Sequence, residues 1–227
     1  FMIGKSLSNY VQANSWKFSN RTTTPNFQAE DLETWSIQDF NNEIDNQFEL
    51  ALVDESLKKA MISDYDVITN KGRNTDQLRP TIYDVIAHQI LDYYVNPNQY
   101  LTEPVYKFYL DAEEAFAPAE KFVKFEFVSQ DSTSRLFKAA LIFQDVIQHL
   151  IERRDVASLV DADLKRLGFV LNNSTLNDKG QRYIAVLDQM VKKYENNKEA
   201  MPMILMAQAN FYNASQTHLN QEKNDLK

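Results

Sequence analysis

Cysteine is absent from these 227 residues, and glycine and proline are scarce, with Gly 4 and Pro 6. The first absence removes disulfides, thiolate nucleophiles and cysteine zinc sites together, while leaving the compartment open. The second argues against a barrel or sandwich with many tight turns and for long helices with short connections. No window approaches the ~18 consecutive apolar residues that span a bilayer. The opening Phe1-Met2-Ile3-Gly4-Lys5-Ser6-Leu7 lacks the basic start and long apolar run of a signal peptide. Lys+Arg 24 against Asp+Glu 32 leaves a net charge of -8 with no long basic run. Nucleic-acid binding would need a concentrated basic face, so that class is set aside. Missing too are a phosphate-binding Gly-rich loop, a Gly-x-Ser-x-Gly elbow and His-Glu-x-x-His.

What is present is an ordinary globular composition, 44% apolar and 25% charged, in a chain long enough to bury a substantial core. The best-specified element is residues 81–95. Thr81 followed three residues later by Asp84 is a variant capping box, able to satisfy backbone N–H groups that the first turn leaves unpaired. Pro80 keeps Arg79 out of helical geometry. Ile82, Val85, Ile86, Ile90, Leu91 and Tyr94 then follow the spacing of an amphipathic helix, and Asn96-Pro97 stops it.

Before it, Ile3, Leu7, Tyr10, Val11 and Asn14 predict a helix finishing near residues 16–18. Residues 21–31, with three consecutive Thr and Pro25, read as a loop. Ser36 with Asp39 caps a second helix whose stripe is Ile37, Phe40, Ile44, Phe48 and Leu52. Short helical pieces are expected at 54–61 and 63–69, then a polar loop at 70–76 containing Gly72. From 99 to 130 the character changes, with Pro104, Pro118 and the runs Val105-Tyr106-Lys107-Phe108-Tyr109-Leu110 and 122–128. Val123-Lys124-Phe125-Glu126-Phe127 alternates with the period of a half-buried strand. The preferred reading is an extended connection lying against helices with one short strand pair. An aromatic ligand platform is the sharper alternative, since aromatic side chains supply burial area in either case.

Four helices follow. One starts at 132–134 with Leu136, Ala140, Phe143, Ile147 and Leu150 on a face. One follows Asp155 and buries Leu159, Val160, Leu164, Leu167 and Val170. The third starts at Asn177 or Asp178, with Tyr183, Val186, Leu187, Met190 and Tyr194. The fourth starts near Asn197, with Pro202 tolerated in an early turn and Leu205, Ala209 and Tyr212 beyond it. Their starts recur roughly every 20–23 residues, so a pair recurs at roughly 42–45, inside the range of helical solenoids. The expected fold is all-α, with antiparallel helix pairs forming an irregular tetratricopeptide-like α-α superhelix and room for one short β pair near 105–128. The expected organisation is one helical-repeat-like domain over 1–227, cut from a larger protein, with 97–131 as the place for a sub-boundary.

Chemistry-bearing residues are thinly spread. His88, His149 and His218 show no metal-ligand spacing, and an His88–His149 zinc pair would rest on residue type alone. Asp84 and His88 lie at i, i+4 and so on one helix face. Because Asp84 is committed to the helix start, His88 is read as a structural histidine bonded internally. Glu113-Glu114 and Asp161-Ala162-Asp163 are carboxylate pairs of the kind acid–base catalysis uses. In an acidic helical chain they read as solvated caps and faces. The sequons at Asn20, Asn172, Asn173 and Asn213 are expected by chance in an Asn-rich chain. The expectation is therefore a non-enzyme with no catalytic, cofactor-binding or metal residues and no cofactor.

A resemblance adds a context. Glu33-Thr34-Trp35-Ser36 and Leu78-Arg79-Pro80-Thr81-Ile82-Tyr83-Asp84-Val85-Ile86-Ala87-His88 resemble the helical region ahead of the macroglobulin domains in very large bacterial alpha-2-macroglobulin-like envelope proteins. There the pattern is close to Leu-Arg-Pro-Thr-Leu-Tyr-Asp-Phe-Leu-Ala-His followed by Ala-Leu-Asp. Here Ile82, Val85 and Ile86 replace other apolar residues, and Ile90-Leu91-Asp92 replaces Ala-Leu-Asp. The similarity continues in Ala115-Phe116-Ala117, Lys138-Ala139-Ala140-Leu141, Gln144, the run from Asp161 to Leu167, and Phe169-Val170, covering about 35–212.

The resemblance implies an envelope protein, periplasmic or anchored at the outer membrane, of a family that traps proteases with macroglobulin β-sandwiches and, in some members, a Cys–Gln thioester. This chain carries neither part. It implies a non-catalytic interaction or scaffold module whose partners are the macroglobulin domains of the same polypeptide, and also proteins or peptides. Tyr83, Asp84 and His88 match the motif and take structural roles: packing, capping and internal bonding. The alternative is a helical glycan- or peptide-binding module like those of outer-membrane nutrient-capture lipoproteins, and an α-helical hydrolase ranks behind both. Exposure of Trp16, Trp35 and the aromatics of 106–127 separates the first two, because a contiguous exposed row serves ligand capture and burial serves a scaffold.

Overall fold

The computed structural model describes residues 1–18, 28, 30–67, 69, 72, 74–96 and 108–225, with side chains to 215. The fold is all-α. Among the described residues there are ten α-helices: α1 (Met2–Ala13), α2 (Ser15–Phe18), α3 (Ile37–Leu52), α4 (Thr75–Leu78), α5 (Ile82–Val95), α6 (Ala119–Phe122), α7 (Arg135–Arg153), α8 (Val156–Asn173), α9 (Lys179–Lys193) and α10 (Ala200–Asp225). The chain divides into two compact units, Phe1–Val105 and Tyr106–Lys227.

In the first unit α3 packs against both α1 and α5. Its start is the expected box: Ser36 N–H donates to Asp39 Oδ2 at 2.8 Å and Asp39 N–H returns to Ser36 Oγ at 3.3 Å. Phe40, Ile44 and Phe48 are buried along it. Tyr10, Phe18 and Trp35 close around Phe40, and Tyr93 and Tyr94 around Phe48, with ring centroids 5.0–6.4 Å apart. Gly4 lets α1 approach α3, because a Cβ there would lie 2.8 Å from Phe48 Cε1. Gly4→Ala, although Ala is the better helix former, should therefore cost about 1–3 kcal/mol through overpacking. Both tryptophans, Trp16 and Trp35, lie in this unit, so tryptophan fluorescence in denaturant follows it selectively.

Helix α5 starts as its sequence demands. Thr81 N–H and Oγ both donate to Asp84 Oδ2, at 2.9 and 2.7 Å, and Asp84 N–H donates to Thr81 Oγ at 3.1 Å. All of this is buried, so Thr81→Ala should lower the stability seen by tryptophan fluorescence by roughly 0.5–2 kcal/mol. The segment 57–62 ties down the same turn. Ile82 N–H donates to Ala60 O, Tyr83 N–H to Leu57 O and Ile62 N–H to Pro80 O. Two expectations need correction here. Residues 54–61 form successive turns rather than a helical piece, the Leu57 and Ala60 carbonyls being spent on the α5 start; Ile62–Tyr65 is one 3₁₀ turn. And α5 is buried around most of its circumference. Its innermost residues are Tyr83, Asp84, Ala87, His88, Ile90, Leu91, Tyr93 and Tyr94, while Ile82, Val85 and Ile86 are only half-buried. The loop expected at 21–31 lies largely outside the described residues.

In the second unit α7 and α8 form a tight hairpin. Arg154 takes the left-handed conformation, φ 58°, and Arg154 and Asp155 return their N–H groups to Ile151 O and Leu150 O. Asp155 then caps α8 through Ser158 N–H at 3.1 Å. Helix α9 lies on α8, and α10 packs against both. The α9 stripe is buried as its spacing predicts, at Tyr183, Val186, Leu187 and Met190. The fourth stripe is not. Among the described side chains of α10, Ala200 and Ile204 are the buried ones, whereas Leu205, Ala209 and Tyr212 are exposed.

No strand pair forms within 108–128. A 3₁₀ turn at Glu113–Phe116 and the short α6 occupy it, and the bridge from Leu110 to Ser174 is isolated. The reason is visible at Gln144. Its Nε2 donates to the carbonyls of Phe122 and Phe125, at 2.8 and 2.6 Å, consuming acceptors a ladder would use. Phe127 is buried while Lys124, Glu126 and Val128 are exposed, so the alternation places side chains without building a sheet.

Candidate functional site

His88 is buried on α5 beside the Asp84 box, and His149 is half-buried on α7; they belong to different units. The His218 side chain and Asn20 lie outside the described residues. Among the described residues no group of three His, Asp or Glu is placed to hold a metal ion, and no helix is long and apolar enough to cross a membrane. Asn173 Nδ2 donates to Phe169 O at 2.9 Å, an i to i−4 contact on its own helix. Deeper in the first unit, Tyr94 donates to Asp45 Oδ1 at 2.8 Å. Burial first, then the Asp45 charge, pushes its phenol far above the ordinary range.

The densest polar cluster lies in the second unit, where charges from α8 and α9 fasten the turn 113–122. It overturns the reading of Asp161-Ala162-Asp163 as a solvated pair. Asp163 is 4% exposed and Arg166, one turn on, is fully buried. Arg166 Nε donates to Asp163 Oδ1 at 2.7 Å and Nη2 lies 2.6 Å from the same oxygen. Its Nη1 donates to Ala115 O, its Nη2 to Ala117 O at 3.0 Å, and the guanidinium sits 4.4 Å from the centroid of the Phe122 ring. Each guanidinium nitrogen thus makes a hydrogen bond, and one ring lies against the group. Burial raises the Asp163 carboxyl, opposed by the charge and hydrogen bond of Arg166.

Two more pairs flank it. Glu113, read as half of a solvated carboxylate pair, is exposed and meets Arg182 at 2.7 Å; Arg182 also holds Asp178 at 2.9 Å. The hydrogen bond from Arg182 holds Asp178 below the usual carboxylate range. Glu120 pairs with Lys193. Burial works to raise Glu120, but Lys193 and the Glu120 backbone N–H outweigh it and hold the carboxylate low. Each carboxylate therefore has a cation or an amide as its partner, and the arrangement fastens a turn.

The aromatic stretch packs inward as well. Phe108, Phe116, Phe122 and Phe127 are buried and Phe125 is half-buried. Phe108, Phe122, Phe125, Phe127 and Phe137 meet edge to face at 4.8–6.2 Å. Tyr109 stands exposed, Trp35 is buried with Nε1 donating to Gln28 O, and Trp16 is exposed; Tyr106 lies outside the described residues. Compared with protein-family models, curated proteins and solved structures, the chain has no match.

Proposed function

We propose that this chain is a non-catalytic helical scaffold and interaction module, acting as part of an alpha-2-macroglobulin-like envelope protein and supporting or docking its inhibitory domains. The observation that carries the reading is the fate of the aromatic residues. A ligand-capturing surface presents rings in a row to solvent; here Trp35, Phe108, Phe116, Phe122 and Phe127 are spent on burial. The Arg166, Arg182 and Lys193 pairs of the second unit are likewise committed to holding one turn on α8 and α9. The resemblance around Leu78-Arg79-Pro80-Thr81 supplies the family context, and the Thr81–Asp84 box gives that motif a structural role.

The test is to recover the native protein with an antibody raised against this chain and to map its peptides by mass spectrometry. β-Sandwich domains on the same polypeptide are the expected result. A polypeptide without them would remove the family context. Saturable binding of a glycan or peptide, lost on Tyr109→Ala, would move the assignment to ligand capture.

A further inference from the structure

Sulfur in this chain comes from methionine alone, because cysteine is absent, and three of the six methionines fall at the start of α10: Met201, Met203 and Met206. The helical turn begins at Asn197, whose side chain accepts from Glu199 N–H and Ala200 N–H while its carbonyl accepts from Met201 N–H. At about 100° per residue, Glu199, Met203, Met206 and Asn210 fall on one line along the helix, and Met201 lies about 140–160° round from the other two methionines. Glu199, Met206 and Asn210 are exposed on that line and Met203 is half-buried. Met190 shows the ordinary use of the residue, buried in the α9 stripe at 6%, whereas Met206 at 62% fills no core.

We propose that Met203 and Met206 form a surface site for a soft monovalent cation, Cu(I). Thioether sulfur is uncharged and polarizable. It selects Cu(I) over the hard cations that carboxylates and carbonyls hold, and over Zn(II), which takes thiolates, imidazoles and carboxylates. Side chains three apart on a helix stand about 5–6 Å apart at Cβ, and each methionine stem has three rotatable bonds. The two sulfurs therefore reach one ion with the backbone fixed, while Met201 is on the wrong side to join them. The Glu199 carboxylate, one turn before Met203 on the same line, balances the single positive charge. Competition from elsewhere is small. Among the described residues no group of three His, Asp or Glu is placed to hold a metal ion. Met2 and Met61 are also exposed, but neither has a second methionine within a helical turn of it.

The probe is Cu(I) delivered anaerobically from its bicinchoninate complex, with Ag(I) in chloride-free buffer as a check that involves no redox change. Saturable uptake of one ion per chain is expected. In the protein labelled with ¹³C at the methionine methyl groups, the signals of Met203 and Met206 should move on titration while those of Met190 and Met201 stay. Met203→Leu/Met206→Leu conserves apolar volume and so keeps the circular dichroism spectrum; it should weaken Cu(I) binding at least about tenfold. Met201→Leu and Met2→Leu/Met61→Leu should leave the affinity unchanged, and Glu199→Gln, which removes only the charge, should weaken it by a smaller factor. No saturable uptake, an affinity unchanged in the Met203/Met206 double variant, an equal loss in Met201→Leu, or displacement of Cu(I) by an equal concentration of Zn(II) would overturn the proposal.

Discussion

Arg166→Met is expected to cost the second unit about 3–5 kcal/mol, the penalty for leaving one member of a buried ion pair alone. Methionine matches the length of the arginine stem and none of its polar bonds. Asp163 keeps its burial and loses its partner, the carbonyls of Ala115 and Ala117 lose their donors, and the Phe122 ring loses the cation above it. Both tryptophans lie in the other unit, so the loss should be read from circular dichroism in urea. The companion substitution separates charge from packing. Arg166→Met/Asp163→Leu removes both charges and should recover most of the loss, since a buried pair replaced by apolar residues is often near neutral. The pH dependence has a definite sign. The Asp163 carboxyl is already raised by burial, and removing Arg166 raises it further. A carboxyl raised in the folded state contributes stability that is complete below its unfolded value, near 3.9, and fades as pH rises through the folded value. The deficit of Arg166→Met should accordingly be largest near neutral pH and shrink on acidification toward about pH 4. A deficit that grows on acidification would show that Asp163 is not the group left stranded.

The elements that sequence exposes best are those set by local chemistry. Ser36 with Asp39 and Thr81 with Asp84 start α3 and α5 because side-chain oxygens three residues apart meet N–H groups that any helix leaves open. The α9 stripe is legible for a similar reason, since one face is apolar and the other is rich in charge. Where a helix is buried on most sides, periodicity loses its hold. The spacing of α5 selects Ile82, Val85 and Ile86, yet Tyr83, Asp84 and His88 lie deeper, because polar residues enter a core when their partners come with them. The Arg166 pair was missed on the same ground, though a signal existed. Val160, Asp163, Leu167 and Val170 lie at spacings of three, four and three, which places a carboxylate inside an apolar stripe, with a potential cation one turn on. The two bonds to Ala115 and Ala117 were not legible, since they join residues about 50 positions apart. In 123–127 the alternation does mark which side chains turn inward, Val123 and Phe125 half-buried and Phe127 buried, but it builds no strand. Gln144, contributed by α7, takes the carbonyls instead.

Phe122→Ala carries the second large effect and tests what the aromatic stretch is for. Phe122 is 1% exposed, edge-on to Phe127 at 5.8 Å and beneath the Arg166 guanidinium. Truncating a phenylalanine at such a site removes its transfer free energy and leaves a cavity, at a cost of about 3–5 kcal/mol. The loss should couple to Arg166, because each side chain is one wall of the other's environment. The double variant Phe122→Ala/Arg166→Met should therefore cost less than the sum of the two single losses, with an interaction energy of about 0.5–3 kcal/mol. Tyr109 supplies the control, being exposed in the same stretch; Tyr109→Ala should change stability by no more than about 0.5 kcal/mol. A ligand platform reverses this ranking. Its rings tolerate truncation because they face solvent, and their loss appears in binding instead. Near-neutral denaturation curves for Phe122→Ala would thus count against the buried cluster and against the scaffold reading that rests on it, while a large loss at Phe122 with none at Tyr109 is the pattern of rings spent on holding the fold.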